Sequence, residues 1–116
     1  MSYGYGPPPP QVPEVTVDEL EKARAGGAPL IDVREPEEYV SGHVPGAVLI
    51  PLGEVVERVE EVNATEPVYV ICGTGPRSAK AVHWYRRQGI DAYNVAGGTQ
   101  AWIKSGKPTS TGRQPG

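Results

Sequence analysis

The segment Cys72-Gly73-Thr74-Gly75-Pro76-Arg77-Ser78 gathers a thiol, two glycines, a permanent cation and two hydroxyls into seven residues. It follows the apolar run Val68 to Ile71 and precedes a segment with helical patterning. A thiol at such a junction meets backbone N–H groups of a tight turn and of a first helical turn, which have no partners of their own. The helix dipole adds roughly half a positive charge at the same end. Both effects favour an anion on sulfur, so a depressed thiol pKa and a reactive thiolate are expected at Cys72. Gly73 and Gly75 let the backbone curl around the sulfur where a Cβ would obstruct it. Pro76 supplies no N–H but presets the turn and suits a first helical position. Arg77 can clamp an oxyanion, and the hydroxyls of Thr74 and Ser78 are further donors. The bland alternative is a small buried thiol at a strand end with an ordinary Gly-Pro turn after it. Two glycines, an arginine and a helix start in so few residues favour the thiolate.

The elements that must position this loop alternate along the chain. Thr16-Val17-Asp18-Glu19 is a capping box opening a short helix that Gly26-Gly27 stops. Leu30 to Val33 reads as a buried strand. Pro36, with Glu37 and Glu38 beside it, opens a brief helix ended by Gly42. Ala47 to Ile50 is another strand, closed by Pro51. Leu52, Val55, Val56, Val59 and Val62 then recur at helical spacing, with Glu54, Glu57, Arg58, Glu60 and Glu61 opposite. Val68 to Ile71 leads into the loop. A helix follows with Ser78, Ala81, Val82 and Tyr85 on one stripe, stopped by Gly89. Ala92 to Val95 is a further strand, and Thr99 to Lys104 a last short helix. Such alternation predicts parallel βαβ units in an α/β domain with helices on both sheet faces. In that architecture sites form beyond the carboxyl ends of the strands, where Cys72 lies.

The 116 residues predict one domain. Five prolines among the first thirteen residues predict an extended or disordered leader over 1–13. The folded unit is expected over 14–107, with a polar tail over 108–116. Fourteen acids against eleven bases leave a net charge of -3, which argues against nucleic acid as the main partner. No apolar run approaches the roughly 18–20 residues of a membrane span, so no membrane partner is expected. The first residues lack the basic cluster and apolar stretch of a signal peptide. One cysteine makes no internal disulfide and no cysteine-only metal site, so a cytoplasmic setting is the default.

Other polar residues admit two readings. Asp32 and Arg34 stand at a strand end like an acid and a base, but tying loops together by an ion pair is the preferred role. Arg34 and Glu38 are close enough in sequence to pair. His43 has the intrinsic pKa of a general base, yet it precedes a Pro-Gly turn and is read as a satisfied loop histidine. His83, with Lys80, Arg86 and Arg87, is placed on a solvated helix face, the sharper alternative being a dock for an acidic acceptor. Trp102 is read as a core anchor and Gly97-Gly98 as a turn beside the active loop. The proline tract is read as a leader rather than as a ligand for an SH3-like groove.

Four segments together resemble the single-domain rhodaneses, a sulfurtransferase family. Leu30-Ile31-Asp32-Val33-Arg34-Glu35 with Glu38-Tyr39 is similar to the family's L-I-D-V-R-x-x-x-E-Y stretch. Gly42-His43-Val44-Pro45-Gly46-Ala47 resembles its G-H-I-P-G-A turn, and Cys72 to Ser78 its C-x-[ST]-G-x-R-S active loop. Asn94-Val95-Ala96-Gly97-Gly98 with Trp102 resembles its closing signature. The resemblance covers nearly all of 14–107. It implies a rhodanese-like fold with a five-stranded parallel sheet flanked by helices, and a persulfide on Cys72. Gly73 departs from the Arg, Lys or Gln often found there, and Pro76 leaves the cradle one donor short; both bear on the preferred donor.

The expected chemistry is double displacement. The Cys72 thiolate takes the sulfane sulfur of thiosulfate or a similar donor, then passes it to a thiol, cyanide or a protein acceptor. Backbone amides of 73–78 and Arg77 would hold the charged species, and the chemistry calls for no metal or organic cofactor. Two rivals remain. A cysteine phosphatase or arsenate reductase typically has five residues between Cys and Arg, whereas four intervene here. A non-catalytic rhodanese-like binding module often lacks the Cys or the Arg, and both are present.

Overall fold

The computed structural model describes residues 10–116; the reading of the leader falls mostly on residues 1–9, outside the described residues. Five parallel strands form one sheet in the order β1-β5-β4-β2-β3, with β1 Glu14–Val15, β2 Leu30–Asp32, β3 Val48–Leu49, β4 Val68–Ile71 and β5 Ala92–Val95. The helices are α1 Val17–Ala25, α2 Pro36–Ser41, α3 Pro76–Arg87 and α4 Gly98–Lys104. The α/β class and the alternation of elements are as expected, and the fifth strand is the one implied by the rhodanese resemblance.

Side-chain alternation along the strands divides the interior into two cores. Ile31, Val68 and Val70 pack with Ala81, Val82 and Tyr85 of α3 on one face. Leu30, Ile71 and Val95 pack with Leu20, Tyr39 and Trp102 from α1, α2 and α4 on the other. The Thr16 hydroxyl accepts from the Glu19 N–H at 3.1 Å, and the Glu19 carboxylate accepts from the Thr16 N–H at 2.8 Å, closing the capping box of α1. Trp102 is the core anchor expected, its Nε1–H donating to the Pro108 carbonyl at 2.7 Å.

Three features differ from the sequence patterning. The Leu52–Val62 segment is not a helix; it forms 3-10 turns at Leu52–Glu54 and Val59–Glu61 joined by turns. Its β-branched valines and Gly53 are weak helix formers, and four glutamates face one arginine. The spacing still selects what goes inside: Val55 is buried and Leu52, Val59 and Val62 pack on the core, while Val56 is 58% exposed. The short edge strand β1 had no pattern to betray it, since two residues cannot show a period. It is held by the Asn94 N–H donating to Pro13 O and the Ala96 N–H donating to Val15 O, each at 2.9 Å. Finally, residues 108–116 fold back along the domain. Ser110 pairs with His43 through both backbone groups, at 2.9 and 2.8 Å, and the Gly46 N–H reaches Pro115 O at 2.8 Å.

Candidate active site

Cys72 follows the last residue of β4 and precedes α3, so the loop between them decides what surrounds the sulfur. The loop's carbonyls are held from behind by the N-terminus of α4. The Thr99 N–H and hydroxyl donate to Cys72 O at 2.9 and 3.0 Å, and the Gln100 N–H donates to Gly73 O at 3.0 Å. Because a peptide is planar, fixing its carbonyl on one side sends its N–H to the other. For the Gly73 carbonyl that opposite N–H is Thr74's, one of the groups that lower the thiol pKa. The approach is close enough that a Cβ on Gly98 would lie 2.6 Å from Cys72 O and from the Gly73 carbonyl group. Gly98 also has φ +59, so glycine answers two demands there.

Around the sulfur, the Gly75 N–H donates to Sγ at 3.1 Å and the Ser78 hydroxyl stands 3.2 Å away. The N–H groups of Ser78 and Thr74 also turn toward it. Burial pushes the thiol pKa up, but the Ser78 hydroxyl and these three N–H groups outweigh it, and the net shift is downward. Gly75 reaches this geometry at φ +129. These donors surround the sulfur, yet Cys72 is only 1% exposed.

The loop residues do not all act alike. Gly75 and Ser78 touch the sulfur, whereas Thr74 is exposed and its hydroxyl makes no hydrogen bond among the described residues. Pro76 opens α3 at its first turn. Gly73 leaves room for Arg77, whose Nη2 would stand 3.3 Å from a Cβ at that position. Arg77 itself is paired in bidentate fashion with Glu38, at 2.7 and 3.0 Å. The Arg77 guanidinium is the main reason the Glu38 carboxyl titrates at about 2. The expected Arg34–Glu38 pair is absent, because each has a better-placed partner. Arg34 forks onto Asp32 at 2.8–3.2 Å and donates to Gly42 O at 2.8 Å, tying β2 to the end of α2.

His43 is buried and stacked on Tyr39 at 3.7 Å, with Nδ1 2.8 Å from Tyr39 O and Nε2 3.0 Å from Pro115 O. It is a loop histidine with both nitrogens engaged. His83 and Lys80 are exposed, but Arg86 is committed to Ala92 O and Asp91 at 2.7 and 3.2 Å. Sequence reasoning passed over two contributors. Thr99 fastens the loop, and Asn94 reaches Ser78 from β5. A polar residue inside the otherwise apolar strand was the available signal for Asn94.

Comparison with known proteins gives a consistent outcome. The family description "Rhodanese-like domain" matches residues 16–105. The chain is 38% identical over 94 residues to the Bacillus subtilis protein named "Putative sulfur carrier protein YrkF", matching 78% of this chain and 51% of that one. It therefore spans about half the length of that relative. It is 39% identical to the Bacillus subtilis "Putative sulfurtransferase YtwF", over 68% of this chain and 77% of the other. A crystal structure of a rhodanese-related protein from Thermoplasma volcanium superposes with a TM-score of 0.82 at 30% identity, covering 87% of this chain and all of the other.

Proposed function

The chain belongs to the rhodanese-like family, and from that premise we propose that it is a sulfurtransferase carrying a sulfane sulfur as a Cys72 persulfide. The observation that carries this reading is the convergence of the Gly75 N–H and the Ser78 hydroxyl on Sγ, at 3.1 and 3.2 Å. These donors favour the thiolate that attacks and the anionic persulfide that results.

With thiosulfate as donor, the thiolate lone pair attacks the sulfane sulfur. A Cys72 S–S bond forms, the donor's S–S bond breaks, and sulfite leaves with its electron pair. A thiolate acceptor then attacks the terminal sulfur, becomes a persulfide and releases the Cys72 thiolate. Cyanide as acceptor leaves as thiocyanate. Arg77 stays positive at the rim, although Glu38 shares its charge, and Thr74 offers an exposed hydroxyl to an approaching donor. The cytoplasm, with its thiol acceptors, suits this chemistry.

The alternative of a non-catalytic binding module draws on the near-complete burial of the sulfur. Mass spectrometry after thiosulfate treatment separates the two. A gain of one sulfur, about 32 Da, that is absent in Cys72→Ser and discharged by cyanide supports transfer. No gain with thiosulfate or with a thiol persulfide points to the module. Turnover of an aryl phosphate without sulfur uptake would move the assignment to phosphate chemistry.

A further inference from the structure

Ser78 has one hydroxyl hydrogen and three acceptors within reach: Asn94 Oδ1 at 2.5 Å, Gly75 O at 3.0 Å and Cys72 Sγ at 3.2 Å. Gly75 O is already served by the Ala79 N–H at 2.9 Å and by Asn94 Nδ2 at 3.2 Å. The contest is therefore between Asn94 and the sulfur. Asn94 cannot leave it by turning its amide over. Its NH2 group faces two acceptors, Gly75 O and Glu14 Oε2, each at 3.2 Å, so the oxygen must face Ser78. Cys72, Ser78 and Asn94 are each at most 1% exposed, which keeps bulk water from serving the loser.

We propose that Asn94, oriented by Glu14 and the Gly75 carbonyl, competes with the Cys72 sulfur for the Ser78 hydrogen and thereby sets how basic the thiolate is. In the thiol form Cys72 S–H donates to Ser78 Oγ, and Ser78 donates to Asn94. When the thiol proton leaves, the Ser78 hydrogen swings to the sulfur and Asn94 Oδ1 is stranded in a buried site. That loss opposes ionisation and keeps the thiolate a stronger nucleophile than the loop amides alone would leave it. Asn94 is thus a positioning residue acting through Ser78. Among the charged groups of the surrounding elements, Arg77 with Glu38 bridges α3 and α2, Asp32 at the end of β2 pairs with Arg34, and Glu14 of β1 holds Asn94. None of them hydrogen-bonds Sγ among the described residues.

The proposal deepens the thiolate reading of the same site, and its test needs no sulfur donor. Rates of alkylation by iodoacetamide are followed against pH for the full chain, Asn94→Ala, Ser78→Ala and the double variant. Asn94→Ala is expected to lower the thiol midpoint by about one unit. With a Brønsted slope near 0.4–0.5, alkylation then becomes about three-fold faster well below the midpoint and about three-fold slower on the alkaline plateau. Ser78→Ala raises the midpoint, and adding Asn94→Ala to it changes nothing more. Asn94→Val, similar in bulk and suited to a strand, replaces the alanine variant if that one does not fold. An unchanged or raised midpoint in the single Asn94 variant overturns the competition, as does a shift that persists without the Ser78 hydroxyl. A chain that alkylates as expected yet takes up no sulfur would instead count against sulfur transfer and leave this assignment standing.

Discussion

Replacing Gly98 with alanine presses directly on the contact between α4 and the loop that carries Cys72. The new Cβ would sit 2.6 Å from Cys72 O, Gly73 C and Gly73 O. Ordinary contacts between such atoms lie at about 3.5 Å, so α4 and the loop must part by nearly an ångström. Holding alanine at φ +59 costs about 1–2 kcal/mol. Weakening the Thr99 and Gln100 bonds to the loop carbonyls adds about 1 kcal/mol for each bond lost. Urea unfolding should thus show a loss of about 3–4 kcal/mol, and alkylation should show the Cys72 midpoint rising as the loop relaxes away from the sulfur. Gly89→Ala is the control. It also has positive φ, at +84, but a Cβ there meets nothing within 4 Å, so only the conformational cost of about 1–2 kcal/mol applies. If the two variants unfold alike and Gly98→Ala keeps the native alkylation profile, α4 does not shape the cradle.

Three further outcomes can be checked by unfolding measurements. Glu38 titrates at about 2 when folded against an ordinary 4.5, so its pairing stabilises the fold above about pH 4.5 and the benefit disappears as pH falls toward 2. Glu38→Gln should cost about 1 kcal/mol at pH 7, modest because the pair is partly exposed, and the variant and native curves should converge in acid. Arg34→Met leaves the fully buried Asp32 carboxylate unpaired and should cost about 3–5 kcal/mol, with partial recovery when Asp32→Asn is added. Deleting residues 108–116 removes the carbonyl partners of the Trp102 Nε1–H, the Gly46 N–H and the His43 N–H. A loss of about 2–4 kcal/mol by urea titration is expected, whereas an unchanged midpoint would show the segment to be dispensable.

Local rules made much of this protein legible in its residues. The capping box of α1, Pro76 at the start of α3 and the apolar runs of β2, β4 and β5 each declare an element through neighbours within a few positions. The Cys72–Ser78 loop is local too, which is why the thiol, the two glycines and the helix start could be read as one device. The Leu52–Val62 segment marks where pattern and backbone separate. Its valines chose the buried side by spacing, but their poor helix propensity and the glutamate repulsion left only 3-10 turns.

Other features depend on residues far apart in the chain. Glu38 takes Arg77 from across 39 positions, Thr99 holds Cys72 across 27, and Ser110 pairs with His43 although a tail was expected there. Asn94 reaches the sulfur's neighbour only because β5 lies beside β4. Sequence spacing ranks partners by distance along the backbone, whereas a parallel sheet brings successive strand ends together across whole crossover segments. The residues themselves therefore specified a thiol beside a helix start. Which groups hold its loop, share its hydrogen and neutralise its cation was decided by strand order, because those contacts exist only once the sheet has formed.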